Sequence, residues 1–287
     1  MTSSSLDEWV GAEVFCKCEN LQRAGAFKFR GATNAVRSLR DEEAAHGVAT
    51  HSSGNHGAAL ALAARERGLP AFVVVPSNVT RPKRAAIEAY GATLVECAGT
   101  MAARWAMLEE VVAATGATVV HPFDDDRVIA GAGTAVLELL EQVGPLDVIM
   151  APVGGGGLCS GSAIAAHGID PNLRVVGAEP AGADDAARSL VAGRLLPQDS
   201  PDTIADGLRT SLSQRTFDVL SSHLERIVTV DDDSTVEAMR YVWERMKLVI
   251  EPSAAVVVAA ARVARLDGAR VGIVLSGGNV DVDALPW

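Results

Sequence analysis

The sequence predicts an α/β fold made of two open, parallel-type α/β domains with helices on both faces of each sheet. Short apolar runs alternate with amphipathic stretches along the middle of the chain, a pattern typical of strands joined by crossover helices. Hydrophobic residues make up 48% of the 287 residues, enough for a buried core, while aromatic residues are only 4%. Frequent Ala, Val and Gly with few aromatic residues favour tightly packed helices and parallel strands over a β-sandwich.

The smaller predicted domain covers residues 46–124. Its strands are predicted at the apolar runs 48–50, 71–75 and 93–97. Each run is followed by a stretch with helical periodicity, and these helices are predicted over residues 58–67, from Pro82 to about residue 90, and over residues 100–114. Strands that alternate with helices in this way predict a three-layer α/β unit.

The larger predicted domain is discontinuous and combines residues 1–45 with residues 125–287. A helix is predicted over residues 133–142, and strands are predicted over residues 147–153, 174–179 and 270–275. The acidic run at residues 231–233 is typical of a helix N-cap and first turn, so it predicts a helix that extends to residue 246. No flexible linker separates the two domains, and we expect them to interleave and to share a ligand-binding cleft.

Charge and composition exclude several classes of protein. Acidic residues outnumber basic residues by 36 to 25, and the net charge of −11 disfavours a nucleic-acid binder. The first nine residues lack the apolar segment of a signal peptide, and Pro152 with four glycines breaks the longest uncharged run, which excludes a membrane helix. The four cysteines form no C-x-x-C pair. We therefore expect a reduced, cytoplasmic protein that acts on a small molecule.

A run of four glycines lies directly after a predicted strand and before a helical stretch: Gly154, Gly155, Gly156 and Gly157. Such a loop offers backbone N–H groups and a helix N-terminus to an anion, so it predicts a phosphate site. The Gly-Lys-Ser/Thr ending of a P-loop is missing. Dinucleotide binding stays an alternative because Glu179 ends the next strand, although Cys159 or Ser160 stands where the third fingerprint glycine is required.

Lys28 is the strongest candidate for chemistry that needs an amine. The chain has only four lysines, and Lys28 is flanked by Phe27 and Phe29. Apolar neighbours disfavour the ammonium form and leave a nucleophilic amine. The alternative interpretation is a surface lysine whose stem covers apolar surface. Lys83 and Lys247 have charged neighbours, and we expect them to be solvated or ion-paired.

Two polar turns also follow predicted strands. Residues 52–57 read Ser-Ser-Gly-Asn-His-Gly and offer hydroxyls, an amide and backbone N–H groups that suit a carboxylate. The alternative interpretation is an N-cap cluster with a structural histidine. Residues 276–279 read Ser-Gly-Gly-Asn and follow an apolar strand, at the place where ligands collect in open α/β sheets.

The order of several motifs along the chain resembles one enzyme family. The motifs are Phe27-Lys28-Phe29-Arg30-Gly31-Ala32, the turn 52–57, Tyr90-Gly91-Ala92, the loop 154–157, Ala205-Asp206-Gly207 and Leu275-Ser276-Gly277-Gly278-Asn279. Over nearly its whole length the chain is similar to the serine/threonine dehydratases and serine racemases, which are pyridoxal-phosphate enzymes of the tryptophan-synthase-β fold type.

The resemblance implies pyridoxal 5′-phosphate in the cleft between the two domains. By matching positions, Lys28 would be the Schiff-base lysine, Phe27 would pack near the cofactor ring, and Asn55 would contact its ring hydroxyl. The glycines of the loop 154–157 would hold the phosphate. Ser276 would meet the pyridine nitrogen, and a neutral hydroxyl there favours elimination because it leaves this nitrogen unprotonated.

The same resemblance implies dehydration of a small β-hydroxy amino acid, such as serine or threonine, to a 2-oxo acid and ammonia. Ser52, Ser53 and His56 would hold the substrate carboxylate, and Lys28 would remove the α-proton. Ser53 matches the serine that acts as the acid on the opposite face in racemases, so serine racemisation stays an alternative. A homodimer is also implied. A catalytically silent ligand-binding protein is the alternative from a different class.

A divalent cation site is implied by the same relatives. Serine racemase-like proteins hold a cation at positions that match Glu179, Asp185 and the main-chain carbonyl of Ala183. Oxygen ligands of this kind suit Mg²⁺ or Ca²⁺. The alternative interpretation is an acidic loop that follows a strand.

Arg104 is the candidate for substrate selection. Serine racemase-like proteins carry an arginine at what looks like this position, within reach of a carboxylate in the substrate site. A guanidinium pairs well with a carboxylate, so the match predicts dehydration of 3-hydroxyaspartate beside serine and threonine. The alternative interpretation is a solvated arginine on a helix.

Overall fold

The computed structural model of the protein describes residues 1–52, 54–77, 79 and 81–287. Contacts within the chain divide it into two units. The large unit combines Met1–Phe27 with Ala132–Trp287, and the small unit is the continuous segment Lys28–Gly131. The domain boundaries at residues 45/46 and 124/125 stay a prediction, since a division by contacts does not show which segments fold independently.

The described residues contain nine strands in two separate sheets: β1 (Glu13–Cys18), β2 (Val48–His51), β3 (Ala71–Pro76), β4 (Thr93–Cys97), β5 (Thr118–Val119), β6 (Val148–Pro152), β7 (Arg174–Pro180), β8 (Arg226–Val230) and β9 (Arg270–Leu275). They also contain twelve α-helices: α1 (Ser4–Val10), α2 (Lys28–Ser38), α3 (Asp41–Ala44), α4 (Asn55–Arg67), α5 (Arg81–Ala89), α6 (Met101–Thr115), α7 (Asp126–Val143), α8 (Gly157–Ile169), α9 (Asp185–Ala192), α10 (Gln214–His223), α11 (Asp232–Tyr241) and α12 (Pro252–Val263).

The small unit has a four-stranded parallel sheet with the strand order β4-β3-β2-β5. Strand β2 pairs with β3 on one side and with β5 on the other, so that Val48 lies beside both Ala71 and Thr118. The Ala-rich helix α4 is buried along most of its length. The strands predicted at residues 48–50, 71–75 and 93–97 are present, whereas β5 is too short to leave an apolar run in the sequence.

The large unit has a five-stranded parallel sheet with the strand order β1-β9-β6-β7-β8. Strand β1 pairs with β9 from Glu13 beside Arg270 to Cys18 beside Leu275. Apart from Arg174 and Arg270, which begin β7 and β9, the residues of the central strands are buried, as expected for a parallel sheet covered on both faces. Helix α12 begins with proline and packs against β6, β7, β8 and β9.

Helix α7 begins at Asp126, seven residues before the predicted start at residue 133. The glycines at the start of α7 weaken the helical pattern in the sequence. One of them, Gly131, is required by close packing. A Cβ atom on Gly131 would lie 2.6 Å from the carbonyl oxygen of Arg30 and 2.8 Å from the Cα atom of Gly31. The glycine therefore lets α7 approach α2 more closely than any other residue would allow.

The two parallel sheets and their helices confirm the predicted α/β class. In both units the strands run in one direction, so the carboxyl ends of each sheet lie at one edge. Ser52, the loop 154–157, Glu179 and Ser276 are found at these ends. Within the described part of the chain, no helix has both the length and the apolar character needed to cross a membrane.

Candidate active site

Lys28 is the first residue of α2 and differs from two other lysines of the chain. Its Nζ atom donates a hydrogen bond of 2.7 Å to the carbonyl oxygen of Pro122. Burial lowers the pKa of Lys28 to about 8, because an ammonium ion loses solvation there. Lys17, in contrast, pairs with Glu138 at 2.7 Å, and Lys247 donates to a carbonyl oxygen on the surface. Lys28 therefore has the properties of a nucleophilic amine near neutral pH.

The segment before Lys28 is fixed by backbone hydrogen bonds within the large unit. Ala26 forms an antiparallel bridge with Gly277, which follows β9. The Phe27 N–H donates to the carbonyl oxygen of Ser276 at 2.9 Å, and the Gly278 N–H donates to that of Gly25 at 2.9 Å. Gly25 has φ +71°, in the left-handed region, so the turn needs a glycine there.

Ser276 is buried at the carboxyl end of β9, with 4% of its surface exposed. Together with the bridge at Gly277, this position makes the loop 276–279 part of the same backbone network as Phe27. The sequence singled out both motifs but gave no sign that they are hydrogen-bonded to each other.

The glycine loop follows β6, and its last residue, Gly157, begins α8. All four glycines are buried. Gly156 has φ +86°, and a Cβ atom there would lie 2.7 Å from the Cβ atom of Thr216. Because the N-cap of α8 is Gly156, no side chain caps the first turn. Backbone N–H groups and the helix dipole thus make this loop suitable for a phosphate.

The polar turn 52–57 follows β2 and leads into α4. Ser52 and Asn55 are half-buried. Gly54 is the N-cap of α4, and no side chain caps that turn either. A Cβ atom on Gly57 would lie 2.1 Å from the carbonyl oxygen of Ser52, so the tight turn requires glycine. Ser53, the predicted opposite-face acid, lies outside the described residues.

His56 is 2% exposed and is held by a main-chain group. Its Nε2 atom lies 3.1 Å from the carbonyl oxygen of Val120, and burial lowers the pKa of His56 to about 3. The ring is therefore neutral, and Nε2 carries the hydrogen that it donates to Val120. Nδ1 is then an acceptor, which is the wrong polarity for a carboxylate. The role of His56 in binding the substrate carboxylate stays a prediction. It would require the His56 ring to carry a second proton.

Three aromatic rings that sequence reasoning missed lie together in the small unit. His51 ends β2, and its ring centroid is 4.2 Å from that of Trp105 and 5.9 Å from that of His121. Trp105 and His121 are stacked at 5.6 Å. The only sequence signal was that His51 follows an apolar run, where a parallel sheet presents its carboxyl end.

Arg104 is on α6, next to Trp105 in the sequence. It is half-buried, and its buried Nε atom has no hydrogen-bond partner among the described residues. Burial, and then the charge of Arg104, lower the pKa of His51 to about 4. Arg104 therefore lies close enough to His51 for its charge to act on the ring.

The predicted cation ligands Glu179, Ala183 and Asp185 are all fully buried in the large unit. The Glu179 carboxylate accepts hydrogen bonds from the N–H groups of Ala186 and Ala187, at 3.2 Å and 2.8 Å. Asp185 accepts one from Leu212 through Oδ2, while its buried Oδ1 atom has no partner among the described residues.

Burial raises the pKa of Glu179 to about 8 and that of Asp185 to about 6. The two buried carboxyl groups, together with the Oδ1 atom of Asp185 that has no partner among the described residues, fit a divalent cation. Its positive charge would balance the two carboxylates. The described residues contain no group of three or more His, Cys, Asp or Glu side chains that could hold a metal ion. The fit therefore depends on the two carboxylates and a main-chain oxygen.

These features define the class of protein. It is an α/β protein with an amine of lowered pKa, a buried glycine loop at a helix N-terminus, and polar turns at the carboxyl ends of parallel strands. The family model described as "Pyridoxal-phosphate dependent enzyme" matches residues 1–277. The chain belongs to this family of pyridoxal-phosphate dependent enzymes.

The chain is also similar to individual proteins whose names specify a reaction. The chain is 46% identical over 288 residues to the β-hydroxyaspartate dehydratase of Paracoccus denitrificans (strain Pd 1222), covering 100% of this chain and 91% of the relative. It is 46% identical over 291 residues to the serine racemase of Dictyostelium discoideum, covering 99% and 90%. Maize serine racemase superposes with a TM-score of 0.97 at 44% identity, covering 99% of this chain and 88% of that chain. The family resemblance inferred from the motifs is confirmed.

Proposed function

We propose that the protein is a pyridoxal-phosphate-dependent dehydratase that converts small β-hydroxy amino acids, such as L-serine and L-threonine, to 2-oxo acids and ammonia. The observation that carries the proposal is Lys28, whose buried amine has its pKa lowered to about 8. An amine of this kind can both attach a carbonyl cofactor and exchange protons near neutral pH.

The residues present fit the cofactor. Lys28 would hold it covalently, the loop 154–157 would bind its phosphate through backbone N–H groups, and Asn55 would contact its ring hydroxyl. Phe27 would pack near the ring, and Ser276 would face the pyridine nitrogen. When bound, the cofactor supplies an electron sink that makes the α-hydrogen of an amino acid acidic.

The residues of this chain perform the remaining tasks. Ser52 and Ser53 would hold the substrate carboxylate at the start of α4, where the helix dipole favours an anion. The amine of Lys28 would accept the α-proton of the substrate at Nζ. Ser276 would offer the cofactor ring a neutral hydroxyl, which cannot stabilise a positive charge as a carboxylate does, and this would favour elimination of the β-hydroxyl.

Racemisation of serine is the second candidate, because the Dictyostelium relative at 46% identity is named a serine racemase. It would need Ser53 to exchange a proton on the face opposite Lys28. Dehydration of 3-hydroxyaspartate would be the proposed dehydratase reaction with a different substrate. It is supported by Arg104, by its unpartnered Nε atom, and by the name of the Paracoccus relative.

A divalent cation, Mg²⁺ or Ca²⁺, is proposed at Glu179, Asp185 and the carbonyl oxygen of Ala183. The support is the buried pair of carboxyl groups and the unpartnered Oδ1 atom of Asp185. A cation there would be structural, since it would neutralise two buried charges in the large unit.

We also propose a homodimer that works in the cytoplasm. The dimer is inferred from the family resemblance, and the compartment from four cysteines that are all free. Sedimentation of the holoenzyme would give about twice the chain mass of 29.8 kDa, and a single-chain mass would overturn the dimer.

The test of the proposed function combines a spectrum with product assays. Purified protein should show an absorption band near the edge of the visible range and should form pyruvate from serine and 2-oxobutyrate from threonine. Lys28→Ala should lose the band and all products, while Lys83→Gln, at another lysine of the small unit, should keep both. An absent band in the parent protein would favour the catalytically silent ligand-binding protein, and D-serine as the main product would favour the racemase.

A further inference from the structure

Two histidine rings of the large unit meet through their Nδ1 atoms. The Nδ1 atoms of His167 and His223 are 2.8 Å apart, the ring centroids are 5.0 Å apart, and the ring planes are inclined at 38°. Both side chains are half-buried, so solvent can reach the pair. Imidazole nitrogens are suitable ligands for Zn²⁺, Cu²⁺ and Ni²⁺. The pair therefore has the chemistry and the access that a transition-metal ion needs.

We propose that His167 and His223 bind one divalent transition-metal ion, such as Zn²⁺, through their Nδ1 atoms. Water would complete the coordination. The proposal does not depend on the proposed function. The site is also distinct from the proposed Mg²⁺ or Ca²⁺ site, whose ligands are oxygen atoms.

The second nitrogen of His167 holds its ring in the orientation of a metal ligand. Nε2 of His167 lies 2.9 Å from the carbonyl oxygen of Leu173. A carbonyl oxygen can only accept a hydrogen bond, so Nε2 carries the hydrogen, and Nδ1 of the neutral ring has a free lone pair that faces His223. Histidines that bind a metal through one nitrogen usually donate the other N–H to a group such as a backbone carbonyl.

His223 needs a change of tautomer and a small movement. In the hydrogen-bonded pair its Nδ1 donates to Nδ1 of His167. With the hydrogen on Nε2 instead, both Nδ1 lone pairs face one point. Two nitrogens bound to tetrahedral Zn²⁺ lie about 3.3 Å apart, which is about 0.5 Å more than the 2.8 Å of the pair. His223 is the last residue of α10, so a rotation of its side chain can supply this movement.

The two histidines lie at the same end of neighbouring helices. Where α8 and α10 begin, a Cβ atom on Gly156 would lie 2.7 Å from that of Thr216. In the last turns of the two helices, His167 meets His223. The helices therefore run side by side in the same direction, and their carboxyl ends, which carry partial negative charge, are close together. A cation bound there would offset the repulsion between the two ends.

The protein would supply two ligands to this ion. Glu225 follows His223 by two residues, but its carboxylate is paired with Arg174 at 2.5 Å. No group of three or more His, Cys, Asp or Glu side chains that could hold a metal ion occurs in the described part of the chain. With water at its remaining positions, the ion should exchange with solvent, unlike the ion of a closed four-ligand zinc site.

The test is a calorimetric titration of the untagged holoenzyme with Zn²⁺. Excess Mg²⁺ is present throughout, so that the proposed oxygen-ligand site is occupied. We expect the His167–His223 site to take up one Zn²⁺ per chain. The melting temperature should also rise, because an ion that binds the folded state adds stability.

His167→Gln and His223→Gln each remove one of the two nitrogen ligands. Each variant should bind this ion about tenfold more weakly or worse, and should lose the rise in melting temperature. His46→Gln, at an exposed histidine of the small unit, is the matched control and should change neither quantity. Circular dichroism establishes that the variants are folded.

X-ray absorption at the zinc edge identifies the ligands in the parent protein, even if neither glutamine variant folds. Two imidazole nitrogens with oxygen in the remaining positions would support the proposal, whereas a sulfur ligand or fewer than two imidazoles would overturn it. A parent protein that binds no Zn²⁺ would also overturn it, as would undiminished binding in a folded His167→Gln or His223→Gln protein or an equal loss in His46→Gln. The titration needs no substrate, so its outcome is separate from that of the proposed function.

Discussion

The backbone N–H of Phe27 donates a hydrogen bond of 2.9 Å to the carbonyl oxygen of Ser276. This bond joins the residue before Lys28 to the residue after β9, although the two are far apart in the chain. Phe27 is the last residue of the large unit's first segment, and Lys28 is the first residue of the small unit. The last residue of the large unit before Lys28 is therefore held by the loop that is proposed to face the cofactor ring.

Gly156→Ala should lower both stability and cofactor affinity. A side chain at φ +86° costs about 1–2 kcal/mol, and its Cβ atom would also overlap with Thr216 at 2.7 Å. We expect a loss of about 2 kcal/mol or more in the free energy of unfolding, measured by denaturant titration of the apoprotein. Gly168→Ala is the matched control at the exposed end of α8, where nothing lies within 4 Å of the added atom, and it should be neutral or slightly stabilising. Equal effects of the two substitutions would contradict a special role for Gly156.

Chelation of divalent cations should lower the thermal stability of the protein, and Mg²⁺ or Ca²⁺ should restore it. In the stripped protein, the raised pKa values of Glu179 and Asp185, about 8 and about 6, mean that the folded state binds protons more tightly than the unfolded chain. Their contribution to stability is present below about pH 4 and is lost as the pH rises towards 8. A bound cation should remove this loss.

The variant Asp185→Asn distinguishes between two interpretations of this segment, a cation site and an acidic loop that binds no metal. The variant should lose the response to chelator, while Asp184→Asn should keep it, because Asp184 pairs with Arg188 on the surface at 2.7 Å. Melting temperatures with and without chelator provide the measurement. A parent protein that is indifferent to chelator would leave Glu179 and Asp185 as buried acids without a metal.

The pair His167 and His223 should make the large unit sensitive to acid. The two Nδ1 atoms are 2.8 Å apart, and burial, followed by His167, lowers the pKa of His223. The folded state then binds this proton less tightly than the unfolded chain, so stability is present above about pH 6.5 and is lost as the pH falls through the lowered pKa. His223→Gln should flatten the fall of the melting temperature between pH 7 and pH 5. His46→Gln, at an exposed histidine, is the control. If both variants show the same dependence of melting temperature on pH as the parent protein, the His167–His223 pair does not cause the acid sensitivity.

Ser53→Ala should suppress racemisation of serine more than its dehydration. Dehydration of the L-substrate needs only the face served by Lys28, whereas racemisation needs a second proton-transfer group on the other face. Parallel assays of D-serine and pyruvate give the ratio. Equal losses of the two activities would remove the proposed acid role from Ser53.

Arg104→Ala should change substrate preference rather than general activity. Loss of a charged hydrogen bond of about 1.5–3 kcal/mol corresponds to a fall of about 10- to 100-fold in kcat/KM for 3-hydroxyaspartate relative to serine and threonine. The three values of kcat/KM are measured for the parent and the variant. An unchanged preference ratio would show that Arg104 does not select the substrate.

Lys28, the glycine loop and the polar turns could be named as candidate site residues from the sequence alone. Each combines its residues within a few positions, so apolar flanks or glycine content are visible before the chain is folded. The sequence did not show that a helix, α2, begins at Lys28, because the hydrogen bonds that fix the preceding segment come from the distant residues 276–278.

The group of His51, Trp105 and His121 could not be predicted in the same way. These residues are contributed by the ends of β2 and β5 and by α6, and they meet only because β5 pairs with β2. Strand order is a property of tertiary packing that periodicity does not encode. Unpartnered polar atoms likewise become visible only when every neighbour is in place.

The strand order of the large sheet also affects how the chain emerges during synthesis. Strand β9, the last to be made, lies between β1, the first, and β6. Until residue 275 has left the ribosome, β1 has no partner in its own sheet and β6 exposes an open edge, a template for aggregation. The small unit is one continuous segment, so all four strands of its sheet are made before β6. Premature termination before Arg270 would therefore release a chain that carries every strand of the small sheet but lacks β9, the strand that joins β1 to β6 in the large sheet.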